Sequence, residues 1–105
     1  MTVDLLVVRD CPNEVPAWAL LRRALDESGL QHVQIQTRVI TDPAEAVRLN
    51  FLGSPSFSVN GRDVFAEPGR SPGITCRVYP GPAGPAGLPT LSALTSALLD
   101  VTHQA

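Results

Sequence analysis

The chain has 105 residues, 44% of them apolar, and a formal net charge of −2. That supports one small domain, residues 1–105, with a single two-layer core. The acidic balance and the scarcity of aromatic residues argue against nucleic acid as a partner, and no stretch is apolar for long enough to suggest a membrane one.

Val3–Val8 is a short apolar run rich in Val and Leu and predicts a strand buried on both faces, central in a sheet. Val15–Leu30 places Trp18, Leu21 and Leu25 at three-to-four spacing, with Arg22, Arg23, Asp26 and Glu27 mostly elsewhere. That is an amphipathic helix with Trp18 in its core stripe, Pro16 in its first turn and Gly29 as its stop. Val33–Val39 alternates cleanly and predicts a strand with one wet face, suited to a sheet edge. In Thr41-Asp42-Pro43-Ala44-Glu45, Asp42 caps a short helix, Pro43 takes its first position and Glu45 closes a capping box; the helix should end near Asn50. Ser56–Val59 and Arg62–Ala66 flank Asn60-Gly61, a strong hairpin signal. Residues 67–88 carry five of the ten prolines and read as one long loop. Leu91, Leu94, Leu98 and Val101 then form a helical stripe, preceded by Pro89 and capped by Thr90.

The order is β-α-β-α-β-β-α. Connectivity alone makes the first three strands parallel, with one antiparallel strand added by the hairpin and helices on both faces of a four-stranded mixed sheet.

Cys11 is the residue with the most chemistry attached to it. It lies in Arg9-Asp10-Cys11-Pro12-Asn13-Glu14, between the first strand and the first helix. A thiol there sits near the free N–H groups of a helix N-terminus, which favour the nucleophilic thiolate. Arg9 favours the thiolate and Asp10 and Glu14 oppose it. The alternative is a small buried hydrophobe, a common role for free cysteine. A second signal is Gly53-Ser54-Pro55-Ser56-Phe57, a proline directly before a short strand.

With Cys11-Pro12 after the first strand and Ser54-Pro55 before the third, the chain resembles the thioredoxin-like superfamily. In particular it looks like small bacterial single-domain members with a Cys-Pro-Asn-Cys motif, over roughly Val3 to Val101. The resemblance implies a third strand antiparallel to the first and a cis Pro55 against the redox cysteine. It implies Cys11 as nucleophile, with Pro12 and Ser54 lining the substrate side. The resolving cysteine of the family would fall at position 14, where this chain has Glu14. Glu14 is then either a general acid/base or a complement to the helix dipole.

Cys76, in the 67–88 loop, offers a substitute. The hairpin returns the chain to the Cys11 end of the sheet, so Cys76 stands either as a resolving thiol or as a packing residue. Arg77 beside it would stabilise a thiolate or an anionic substrate group, although the usual exposure of arginine favours a solvated charge. Tyr79 covers either the loop or a pocket. His32 and His103 form no metal-ligand spacing with the cysteines, and no cofactor is implied.

Three functions follow, in order. The first is thiol–disulfide exchange through Cys11, with Cys76 or an external thiol such as glutathione as resolver, acting on protein or low-molecular-weight thiols and disulfides. The second is a non-catalytic thioredoxin-fold binding module. The third is soft-metal binding through Cys11 and Cys76. Two cysteines are too few for a disulfide scaffold, and Met1-Thr2-Val3-Asp4 lacks a secretory pattern, so the expected setting is the reducing cytoplasm. The sequence sets no oligomeric state.

Overall fold

A computed structural model describes residues 1–102, so His103 lies outside the described residues. The elements are β1 (Val3–Val7), α1 (Glu14–Glu27), β2 (Ile35–Val39), α2 (Pro43–Arg48), β3 (Ser56–Val59), β4 (Arg62–Asp63) and α3 (Leu91–Thr102). They form one four-stranded sheet in the order β2-β1-β3-β4. β1 is parallel to β2 and antiparallel to β3, and β3 is antiparallel to β4. The third strand therefore runs opposite to what the crossover rule alone implies. The chain from β2 through α2 makes no return crossover to a parallel neighbour; it turns at Ser54-Pro55, a cis peptide, and comes back down beside β1.

Two cores flank the sheet. Val3, Leu5 and Val7 of β1 pack with Ala17, Leu21, Ala24 and Leu25 of α1 and Leu94 and Leu98 of α3. Leu6, Ile40, Ala46 and Phe51 form the smaller core beneath α2. Every β1 residue is buried, including Asp4, as a central strand requires. The buried stripe of α1 runs through Ala17, Leu21, Ala24 and Leu25. Trp18 is a helical step of about 100° away from Ala17 and is 42% exposed, which corrects its assignment to the core. It stands beside Thr37 on the flank of β2.

β2 is an edge strand as expected, but Thr37 and Val39 are exposed as well as Gln36 and Arg38, so both of its faces are wet. Asp42 caps α2 by accepting the Glu45 N–H at 2.8 Å. Glu45 reaches back to the Thr41 N–H, one residue before the cap. Thr90 caps α3 through the Ala93 N–H at 3.1 Å. The hairpin turns on Asn60 (φ 52°) and Gly61 (φ 80°), the left-handed pair that a tight two-residue turn needs. Asn60 also clasps the start of the chain: its N–H donates to the Thr2 carbonyl at 2.8 Å, and its Oδ1 accepts the Thr2 N–H at 2.9 Å. β4 is shorter than the expected Arg62–Ala66, because the Asp63 carboxylate accepts the Phe65 N–H and bends the strand out of the ladder.

No described helix is long and apolar enough to cross a membrane.

Candidate functional site

β1 delivers the chain to the end of the sheet at which β3 begins. Asp10 takes a left-handed conformation (φ 58°), and the Glu14 N–H donates to the Cys11 carbonyl at 3.2 Å, closing the turn that starts α1. Cys11 is half-buried and packs on the edge of the α1/α3 core, while Pro12 is exposed. Asn13 is the N-cap of α1, yet its side chain makes no capping bond. It lies instead against Gly87, where an added Cβ would come within 2.5 Å of Asn13 Nδ2. The far end of the long loop is thus laid over the start of α1.

Ser54 joins the two cysteine segments. Its Oγ accepts the Val8 N–H at 3.0 Å, tying it to the strand that leads into the Cys11 turn. Its own N–H donates to Thr75 O at 2.8 Å and its carbonyl accepts the Arg77 N–H at 3.0 Å, so that Cys76 forms a parallel bridge with it. The Gly73 N–H extends the same pairing to the Phe51 carbonyl at 3.1 Å. Cys76 is exposed, and the backbone alternation turns its own N–H and C=O away from Ser54. Both thiols are free. Ser54 and cis Pro55 thus stand at the end of the sheet where β1 leads into the Cys11 turn, with the backbone on either side of Cys76 bonded to Ser54.

Arg77 departs furthest from expectation. It is 2% exposed. Its Nη1 donates to Ser56 Oγ at 3.0 Å and to the Asp63 carboxylate; its Nη2 donates to Phe65 O at 2.6 Å and to Glu67 at 3.2 Å. The guanidinium carbon lies 5.1 Å from the centre of the Tyr79 ring. Burial acts to lower its pKa, but Tyr79, charged only at high pH, and the Asp63 and Glu67 carboxylates outweigh that and hold it above the ordinary value. Close quarters require Gly53 here: with φ 130°, its added Cβ would meet Arg77 Cβ at 3.0 Å and the Arg77 nitrogen at 3.1 Å.

Tyr79 is also buried, against Phe57 and Phe65, and its hydroxyl donates to the Pro55 carbonyl. Burial pushes its pKa well above the ordinary value; Asp63 and Glu67 add to the shift and Arg77 opposes it. Tyr79 and Ala86 exchange backbone hydrogen bonds, both at 2.8 Å, and close a small turn inside the loop. Around that turn Val78, Tyr79, Pro80, Gly81, Gly84 and Pro85 line an open apolar hollow of about 370 Å³. The cis bond expected at Pro55 is present, whereas sequence reading missed the structural weight of Arg77 and Tyr79. The available signal was the alternation of Arg77 and Tyr79 with the exposed Cys76, Val78 and Pro80.

His32 is exposed, and no group of three His, Cys, Asp or Glu side chains among the described residues is placed to share a metal ion. Element order and sheet pairing make this a small α/β domain with thioredoxin-like strand and helix order. No known family, curated protein or solved structure matches the chain.

Proposed function

We propose that the protein carries out thiol–disulfide exchange, with Cys11 as the attacking thiol and Cys76 as the resolving one. The observation that carries this reading is Ser54, whose hydroxyl holds the segment entering the Cys11 turn while its backbone holds the residues on either side of Cys76. One residue before the cis proline thus sets the position of both cysteine segments.

The chemistry balances without a cofactor. The Cys11 thiolate attacks one sulfur of a disulfide, forming a mixed disulfide and releasing the other half as a thiolate. The Cys76 thiolate then attacks the Cys11 sulfur, forming the Cys11–Cys76 disulfide and releasing the second half. An external thiol performs the same second step if Cys76 is replaced, and external thiols regenerate the reduced protein. Glu14 leaves α1 without a neighbouring resolver, so the long loop supplies it. Substrates are protein or low-molecular-weight disulfides, and a reducing compartment such as the cytoplasm is the setting.

The test is mass spectrometry of the protein after exposure to a small disulfide such as oxidised glutathione. The wild type should lose both free thiols and gain an intramolecular bridge. Cys76→Ser should stop at a mixed disulfide on Cys11, and Cys11→Ser should form no bridge. If Cys11 remains a free thiol throughout, or the wild type accumulates adducts on both cysteines without a bridge, the exchange mechanism is wrong. The apolar hollow around Tyr79 favours a second reading, a binding module for an apolar partner, which that outcome would bring forward.

A further inference from the structure

β2 is an edge strand. The Ile40 N–H donates to Val7 O at 2.8 Å, which fixes the phase of the strand. Gln36, Arg38 and Ile40 direct their backbone groups to β1, so the N–H and C=O of Ile35, Thr37 and Val39 point outward. Among the described residues nothing else bonds to them. The side chains of Ile35, Thr37 and Val39 share the α1 face with Val3, Leu5 and Val7. On that face Glu14, Val15 and Trp18 flank Thr37, and Val15, Trp18 and Val39 are all exposed. Gln36 and Arg38 occupy the opposite face.

We infer that a second copy of this chain docks here, β2 against β2 and antiparallel, about a two-fold axis through Thr37. A two-fold interface must complement itself, and this strand does so in one register. Ile35 faces Val39 of the second copy, and Thr37 faces Thr37. Three such pairs each exchange two N–H···O=C bonds, because these residues already present their backbone groups outward. On the other face Gln36 stands opposite Arg38 of the second copy, its amide oxygen accepting from the guanidinium. Centring the axis on Arg38 instead would set Arg38 against itself, and centring it on Gln36 would push Val39 past the end of the partner strand. On the α1 face, the axis through Thr37 brings the Glu14–Val15–Trp18 flanks of both copies towards each other, apolar contact from Val15 and Trp18 working against the two Glu14 carboxylates.

A strand guarded against such pairing carries a proline, a bulge or inward-pointing charge. β2 pairs regularly with β1 at all five residues and contains no proline. Its one charge, Arg38, has a partner in the symmetric register.

Sedimentation equilibrium of the full chain in reducing buffer tests this, with the monomer at 11.2 kDa. A concentration-dependent dimer is expected. Trp18 is the only tryptophan, so its emission should shift to the blue as the dimer forms. Thr37→Pro removes an outward N–H and leaves the β1 ladder intact, so it should abolish the dimer while far-UV circular dichroism is retained. Gln36 is exposed, and its variants test the register without touching the core. Gln36→Glu should tighten the dimer, and Gln36→Lys should weaken it, each by about two- to thirtyfold from two cross-strand pairs. A monomer at all concentrations up to about 1 mM, a dimer unchanged in folded Thr37→Pro, or Gln36 variants that move affinity the same way would each overturn the proposal.

Discussion

Cys11 and Cys76 reach the same end of the sheet by different physical means. Cys11 is placed by regular structure: a strand buried over its whole length, a left-handed Asp10, and a helix that begins three residues on. Cys76 lies in the glycine- and proline-rich loop, and it is placed by polar groups. Ser54 pairs with its neighbours' backbone, and Arg77, one residue away, is anchored inward by Ser56, Asp63, Phe65 and Glu67. Hydrophobic burial holds the first site and a buried ionic network holds the second. An apolar core weakens by increments, methylene by methylene. A network of this kind fails when any one member leaves an uncompensated charge.

The contrast is broken most severely by Arg77→Met. That change leaves Asp63, whose side chain is only 9% exposed, without its cation. Removing one partner of a buried pair costs about 3–5 kcal/mol, read as a lowered urea midpoint. Amide hydrogen exchange should rise in residues 73–79 well before it rises in β1 or α1. Equal acceleration in both regions would mean that the loop and the Cys11 turn are one cooperative unit.

Gly53→Ala should come next. A φ of 130° is a glycine conformation, and the new methyl would press on the Arg77 backbone. The strain alone is about 1–3 kcal/mol, and the loss should again appear first around Cys76. Gly61→Ala is the control: it too has a positive φ, but nothing lies within 4 Å of its Cβ position. If the two variants lose the same stability, contact with Arg77 contributes nothing.

Tyr79→Phe should be the mildest, at about 1–2 kcal/mol, because it leaves the Pro55 carbonyl without its donor. It also carries a pH signature. The folded-state pKa of Tyr79 is raised, so its contribution is fully present below the unfolded value of about 10 and is lost as pH rises beyond it towards the folded value. Wild type should therefore lose stability between about pH 9 and about pH 11 more steeply than Tyr79→Phe does. Tyr79 is the only tyrosine, so phenolate absorbance reports it alone. An ordinary titration midpoint in the folded protein would contradict its burial.

The same division decides what the sequence made legible. β1, α1, the Asp42 and Thr90 caps and the Asn60-Gly61 hairpin follow from periodicity and turn chemistry, which are local. The direction of β3 does not, because a right-handed crossover and a return strand present the same run of residues; the resemblance to the thioredoxin-like layout supplied it. Trp18 was misplaced by one helical step, since apolar spacing defines a stripe but not where the sheet beneath it ends. Alternation around Arg77 is the one local hint of an inward side chain; its burial depends on Asp63 and Ser56, 14 and 21 residues away. Its glycine- and proline-rich setting carries none of the usual marks of a core.

The Asn60 clasp on Thr2 bears on how the molecule can be handled. It pins the first residues at the end of the sheet opposite Cys11 and Cys76. A tether fused ahead of Met1 therefore leaves from the far pole, and a protein immobilised on a bead or sensor surface through that tether presents both sulfurs outward. Capture of the disulfide-linked adducts expected from the proposed exchange should favour that attachment. A fusion that displaces Thr2 would loosen the hairpin without approaching either cysteine.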